Sequence, residues 1–216
     1  MRTNPAPENL SDRLVASVGQ AASPRTTPAL YRALLRLLSQ GEPVTITELA
    51  AAARCPTDRV RRDMEVGMTP STTSNAAFLG WGLTLRPTPH GFNVDGKQLY
   101  TWCALDTLFF PAVIGRPARV GSPCAATGTP IRLTVDPAAG VSALEPTTAV
   151  VSIVTPQHMN SVRTAFCNPG RFFAIADSAR DWQRKHPGTE VLSVVDAHRA
   201  SRPLSEMLLG DNPPPH

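Results

Sequence analysis

Cys55, Cys103, Cys124 and Cys167 are the four thiols of this 216-residue chain, and Cys103 stands three residues before an acid in an apolar stretch. The segment reads Trp102-Cys103-Ala104-Leu105-Asp106-Thr107. On a helix, residues three apart share a face, so Cys103 and Asp106 would project side by side among apolar neighbours. A negative neighbour and low polarity both disfavour a thiolate, and the carboxyl tends to keep its proton. The two then titrate as one unit that can share a proton. Such a unit suits a soft cation: the thiolate binds it while the carboxyl relays the displaced proton. The competing reading is a packed cysteine beside an aspartate bonded to backbone, and a lone C-x-x-D does not separate the two.

Cys167 lies in Ala165-Phe166-Cys167-Asn168-Pro169-Gly170, a helix end running into a turn. Turns carry functional groups more often than core elements do. A second thiol there could meet Cys103, or could be a small buried hydrophobe; spacing does not decide. Cys124, in the turn Ser122-Pro123-Cys124-Ala125-Ala126-Thr127-Gly128, has no paired ligand at zinc-knuckle spacing and reads as structural. Cys55 precedes Pro56 and reads as a packing or surface thiol. The histidines, at 90, 158, 186, 198 and 216, show no metal-binding pair spacing, and neither a phosphate loop nor a GxSxG elbow is present. The common cofactor and hydrolase classes are thereby excluded.

The elements that must position these groups fall into two parts. Residues 1–27 are polar, contain proline and read as a flexible tail, with one short helix over Leu10–Val18. From Pro28, apolar residues at Leu30, Ala33, Leu34, Leu37 and Leu38 recur at helical spacing up to Gly41. Thr47 can cap a second helix over Glu48–Ala53, and Thr57 or Asp58 a third over Arg59–Val66. Gly80–Leu85 reads as a strand, and Asp95-Gly96 between two β segments is a strong two-residue hairpin signal. Three helices and a hairpin make a winged-helix arrangement over 28–97.

Residues 98–210 then read as a mixed α+β domain with antiparallel strands, and 211–216 as a second flexible tail. Tyr100–Phe110 reads as a short buried helix closed by Pro111, followed by strands at Ala118–Val120, Ile131–Val135 and Thr148–Val154. Helices are expected at Gln157–Ala165, from Asp177 or Ser178 to Lys185, and from about Asp196, with strands at Arg171–Ile175 and Val191–Val195. The fold class is thus α+β.

The net charge of +4 permits nucleic-acid contact without requiring it. Arg54, Arg59, Arg61 and Arg62 surround the third helix, but the wing carries only Lys97 as a cation. The expectation is a packing module that binds no nucleic acid. No apolar run reaches the ~18 residues of a membrane span, and Met1–Gln20 lacks the basic start and apolar stretch of a secretory signal. The chain reads as cytoplasmic, where cysteines are free thiols more often than disulfides.

Several blocks, in order, resemble the organomercurial (alkylmercury) lyases. They are Gly80-Trp81-Gly82-Leu83-Thr84-Leu85-Arg86, then Leu99-Tyr100-Thr101-Trp102-Cys103-Ala104-Leu105-Asp106-Thr107-Leu108, then Phe110-Pro111-Ala112-Val113-Ile114-Gly115-Arg116. Cys124-Ala125-Ala126-Thr127-Gly128, Leu133-Thr134-Val135, and Phe166-Cys167 followed by Phe172-Phe173-Ala174 continue the match, with Trp182 and Lys185-His186 more loosely. The resemblance spans about Leu30 to His198. Asn168-Pro169-Gly170 after Cys167 departs from the family pattern and leaves the shape of that loop open.

The resemblance implies an enzyme without cofactor that splits carbon–mercury bonds by protonolysis, as part of mercury detoxification. It assigns Cys103 and Cys167 to mercury binding, Asp106 to the acid and to a contact with the Hg(II) product, and Cys124 to structure. It also implies that low-molecular thiols, and a mercuric reductase, take the transiently bound Hg(II). The alternative, resting on the helix-turn-helix and its arginines, is a mercury- or thiol-responsive winged-helix transcription regulator.

Overall fold

A computed structural model of the protein describes residues 7–21, 28–67, 71–72, 77–154 and 166–210. The expected helix over Gln157–Ala165 and the tail at 211–216 lie outside the described residues.

The N-terminal part builds α1 (Pro7–Ala21), α2 (Pro28–Leu38), α3 (Ile46–Ala53) and α4 (Thr57–Gly67). Pro28 opens α2, where a missing N–H costs nothing, and Leu30, Leu34, Leu35 and Leu38 form its buried stripe. The cap of α3 is Thr45, not Thr47: its side chain accepts from the Glu48 amide while Glu48 reaches back to the Thr45 amide. This reciprocal box satisfies two donors at once. In α4, Arg61 pairs with Asp58 and Arg59 with Asp63, so two of its arginines face acids of the same helix.

The wing comprises β1 (Ser71–Thr72), β2 (Phe78–Trp81), β3 (Leu83–Thr84), β4 (His90–Val94) and β5 (Lys97–Thr101). Asp95 and Gly96 both take positive φ, 49° and 79°, the left-handed pair that a two-residue hairpin needs. The strand expected at Gly80–Leu85 is broken in two at Gly82, whose φ of 79° turns the chain back on itself.

The rest of the chain forms α5 (Asp106–Ile114), β6 (Ala118–Pro123), β7 (Pro130–Asp136), β8 (Gly140–Glu145), β9 (Val150–Val154), β10 (Phe172–Phe173), α6 (Ala176–Lys185), β11 (Thr189–Ser193) and α7 (Val194–Leu209). One antiparallel sheet runs β1-β2-β3-β5-β4-β6-β7-β8, and a second runs β10-β9-β11. The larger sheet crosses residue 97 without a break, because β4 pairs with both β5 and β6. Residues 28–97 and 98–210 therefore share one sheet. β8 was not expected from the sequence: only partly buried, it lacks the alternating apolar pattern that marks β6.

Two further expectations need correction. The buried helix starts at Asp106 rather than Tyr100 and continues through Pro111 to Ile114, capped by Gly115. A proline inside a helix costs ~3 kcal/mol, but nearly every side chain of α5 is buried, and that burial outweighs the loss. The N-terminal residues are not all tail. α1 is longer than Leu10–Val18 and docks on α7, with Leu10 and Leu14 buried, Ser11 bonded to the Ala200 carbonyl and Arg13 paired with Glu190.

The helices of the N-terminal part are also tied down at helix ends. Arg36 donates to the Val113 carbonyl near the end of α5, and Arg32 to the Leu209 carbonyl at the end of α7. Terminal helix carbonyls lack intrahelical partners and carry negative partial charge, so guanidinium groups satisfy both needs. Among the described residues no helix is long and apolar enough to cross a membrane.

Candidate active site

The turn between β5 and α5 carries Cys103, and α5 begins at Asp106. The pair does not share a helical face, as the spacing suggested. Instead the turn doubles back, and the Cys103 amide donates to Asp106 Oδ2 at 3.3 Å. The turn is held from three sides. The Trp102 amide donates to the Gly82 carbonyl at 2.8 Å. Thr101 Oγ1 donates to the Cys103 carbonyl at 2.8 Å, and Thr107 Oγ1 to the Ala104 carbonyl at 2.6 Å.

Cys167 arrives on a separate loop. The Gly170 amide closes a turn onto the Cys167 carbonyl at 2.9 Å, and the Gly170 carbonyl accepts from the Ala104 amide at 3.0 Å. One glycine thus links the two thiol-bearing turns. A Cβ at Gly170 would stand 3.1 Å from the Cys103 Cβ, so the absent side chain is what lets the loops approach this closely. Ser152, fully buried on β9, donates to the Pro169 carbonyl at 2.7 Å and accepts from the Arg171 amide at 2.9 Å. That pins the far end of the loop to the smaller sheet.

The result is a cluster in which the Cys103 and Cys167 sulfurs and an Asp106 oxygen all lie within 4.8 Å of one another. The three residues are 1%, 3% and 4% exposed, so bulk water does not compete for their protons. Burial pushes the Cys103 thiol well above its ordinary value, and the bond to Cys167 and the Asp106 and Cys167 charges push the same way. Burial also raises the Asp106 carboxyl from 3.8 to about 7, against hydrogen bonds from the Cys103 thiol and from the Cys103 and Trp102 amides. Near neutral pH, then, the acid exchanges its proton readily while the neighbouring thiol keeps its own. Two soft sulfur donors beside one oxygen match the preference of a soft, thiophilic metal.

The raised carboxyl has a consequence for stability. An acid that resists ionisation when folded favours the fold while it is protonated. Its contribution is complete below the unfolded value of 3.8 and is lost as pH rises to about 7, because the unfolded chain gives up the proton first. Asp106→Asn cannot ionise and escapes that loss. In denaturant titrations between about pH 4 and pH 8, the variant should gain on the unsubstituted protein by up to ~4 kcal/mol, about three pKa units at 1.36 kcal/mol each. A difference that does not change with pH would show that the folded carboxyl titrates as it does in the unfolded chain.

Cys124 stands outside the cluster. It is buried in the β6–β7 turn, where its amide donates to the Thr129 carbonyl and the next amide, of Ala125, to the Phe172 carbonyl on β10. Burial works to raise its thiol, but bonds from the Thr127 hydroxyl and the Ala174, Ala126 and Thr127 amides outweigh it and hold the thiol below its ordinary value. The turn therefore stitches the larger sheet to the strand that follows the Cys167 loop. Cys124→Ser should cost ~1–2 kcal/mol, seen as a lower denaturation midpoint, while the folded fraction keeps its turnover. Inactivity in a demonstrably folded variant would overturn the structural assignment.

His90 is also outside the cluster. It is buried beside Phe172, with Nδ1 3.0 Å from Ser122 Oγ. Burial, then the Arg171 charge, lower its pKa to about 3, which keeps the ring neutral. Cys55, partly buried, packs against the core. Sequence reasoning missed Thr101, Ser152 and Gly170, which position the thiols. Ser152 alone left a local signal, as a polar residue inside the apolar run Val150-Val151-Ser152-Ile153-Val154.

Comparison with known proteins places the chain in a family. A family model described as "Alkylmercury lyase" matches residues 83–206, and one described as "Helix-turn-helix domain of alkylmercury lyase" matches 9–76. An alkylmercury lyase of Streptomyces lividans is 50% identical over 208 residues, 96% of each chain. One of Bacillus cereus is 52% identical over 80% of this chain and 79% of its own. One of Pseudomonas putida is 41% identical over 94% and 95% respectively. A solved crystal structure of the mercury-bound form of MerB2 shares the fold, with a TM-score of 0.73 at 20% identity over 94% of this chain and 98% of that one. With its catalytic part and its helix-turn-helix part both matched, and with relatives similar along nearly its whole length, the chain belongs to the alkylmercury lyase family.

Proposed function

We propose that this enzyme cleaves the carbon–mercury bond of organomercurials by protonolysis, with Cys103, Cys167 and Asp106 as the reacting groups. The observation that carries the reading is the buried cluster of two sulfurs and one carboxyl oxygen within 4.8 Å of one another. An organomercury thiolate, R–Hg–SR′, exchanges its thiolate for the first cysteine, and R′SH leaves with that cysteine's proton. The second cysteine gives its proton to the Asp106 carboxylate and joins the metal as thiolate. Two thiolates raise the electron density on mercury, and the carbon becomes basic enough to accept a proton. Asp106 delivers it as a general acid. The Hg–C bond breaks, R–H leaves, and Hg(II) remains on the two sulfurs with the Asp106 carboxylate beside it.

Two further R′SH molecules restore both cysteine thiols and remove Hg(SR′)₂. In net terms one organomercury thiolate and one thiol become one hydrocarbon and one mercury dithiolate. The reaction uses small thiols and no resident cofactor, takes place in the cytoplasm and serves mercury detoxification, with a mercuric reductase as acceptor of the metal. The test is headspace detection of methane or benzene after methyl- or phenylmercury is added with excess thiol. Hydrocarbon in repeated turnovers supports the reading. Stoichiometric Hg(II) binding with no hydrocarbon would reduce the protein to a thiol buffer.

A further inference from the structure

Between α2 and the end of α3 lies an open groove of about 620 Å³, a volume in the range of small-molecule sites. Arg32, Arg36 and Gln40 line it from α2, spaced four apart on one helical face, and Arg54 lines it from the end of α3. Ala33 and Leu37 belong to its apolar lining. Arg54 caps α3: its amide donates to the Ala50 and Ala51 carbonyls, so the side chain leaves from a fixed point of the backbone. Three guanidinium groups thus gather without an acid. α2 contains no acidic residue, and Glu48, the acid of α3, is held by Thr45 at the other end of that helix. In α4, Asp58 and Asp63 already pair with Arg61 and Arg59. Among the described residues none of the three arginines forms an ion pair. Arg32 and Arg36 each commit a donor to a helix-end carbonyl, of Leu209 and Val113, and a guanidinium has about five. Burial, and then the Arg32 charge, lower the Arg36 guanidinium from its ordinary value, so two like charges are held close here.

Close like charges in a concave site, with no acid to balance them, favour an anion that brings several negative charges. Guanidinium forks match the paired oxygens of carboxylates and phosphates, and the apolar part of the lining suits a carbon frame. We propose that this groove binds a small organic polyanion, with Arg32, Arg36 and Arg54 as its oxyanion ligands and Gln40 as a further polar contact. The ligand bridges α2 and α3 and so steadies the helix-turn-helix part. The groove is separate from the thiol cluster. Arg36 reaches the Val113 carbonyl, which lies seven residues beyond Asp106 in α5, about 10 Å along that helix at 1.5 Å per residue. The anion therefore takes no part in carbon–mercury cleavage, and its binding stands apart from the reading of Cys103, Cys167 and Asp106.

Citrate and fructose 1,6-bisphosphate are titrated into the full-length protein by calorimetry at fixed ionic strength, and melting is followed in parallel. At least one should bind saturably, one to one, and at about a hundred times its Kd raise Tm by roughly 5 °C or more. Arg54 is exposed, so Arg54→Gln should keep the parent Tm without ligand and release hydrocarbon at the parent rate. It should lose roughly tenfold or more in anion affinity, as loss of one charge-assisted bond does. Arg36→Gln should bind as weakly. If it does not fold, Arg54→Glu, which reverses the charge at an exposed position, carries the same measurement. No saturable binding of either probe in the millimolar range overturns the proposal. So does a Tm gain that persists in Arg54→Gln, which is the general effect of an anion excluded from protein surfaces. Binding that appears only after Asp211→Asn would make the chain's own carboxylate the occupant. Tighter binding of duplex DNA, lost in Arg54→Gln, would make the groove a nucleic-acid surface. Either result overturns the proposal as well.

Discussion

In the Asp106→Asn variant, capture of organomercury is expected to survive while hydrocarbon release slows by roughly 10²- to 10⁴-fold, the usual contribution of a general acid. Both thiols remain, so mercury still binds. The amide is nearly isosteric with the carboxyl and can still accept from the Cys103 amide, a bond that runs at 3.3 Å in the parent. What it cannot do is carry a proton. The loss corresponds to about 3–5 kcal/mol of barrier at 1.36 kcal/mol per decade. Single-turnover release of benzene from stoichiometrically bound phenylmercury isolates the step from metal removal. Release near the parent rate would assign the proton to a cysteine thiol, and the mechanism would change accordingly. The carboxyl's raised value of about 7 also sets the pH response. The carboxylate must first take the second cysteine's proton, so the single-turnover rate should rise as pH passes through that value.

Cys103→Ser should be more damaging, because it removes binding and chemistry together. A hydroxyl is a hard, weakly acidic ligand, and a soft cation prefers thiolate. Turnover should drop by roughly 10⁴-fold or more, ~5 kcal/mol or above, and Hg(II) should bind with the weaker affinity of a single thiol. Cys167→Ser should resemble it. Since both sulfurs act on one metal, the double variant should be little worse than either single one, as is usual for groups that work as a unit. Measurable benzene release from Cys103→Ser at a tenth of the parent rate would remove Cys103 from the centre of the mechanism. Isothermal titration with Hg(II) checks the binding half independently.

The family match favours the lyase over the regulator reading. Its warrant was the run of arginines around α4, yet Arg59 and Arg61 face Asp63 and Asp58 of the same helix. The helix-turn-helix part instead caps α5 and α7 through Arg36 and Arg32. A winged helix can serve as a packing module as well as a DNA reader, and here its helices tie together the helix that bears Asp106 and the one that closes the chain.

Much of this was legible in residue type and local order. The Asp95-Gly96 hairpin, the leucine stripe of α2 and the alternation in β6 follow from rules that act over a few residues, and the structure has all three. The closeness of Cys103 and Asp106 was legible too, although a turn held by Thr101, Gly82 and Gly170 replaces the helix that the spacing suggested. The meeting of Cys103 with Cys167 was not readable from spacing, only from the resemblance of whole sequence blocks. Its physical cause is non-local: Gly170 bonds to Ala104, and Ser152 anchors the loop to β9. The docking of α1 escaped for the same reason, since the surface that buries Leu10 and Leu14 belongs to α7 at the other end of the chain. Sequence determined which chemical groups this protein has and which short turns and helices it forms. Tertiary structure decided which of those groups meet and how dry their surroundings are, because both depend on contacts between segments far apart in the chain.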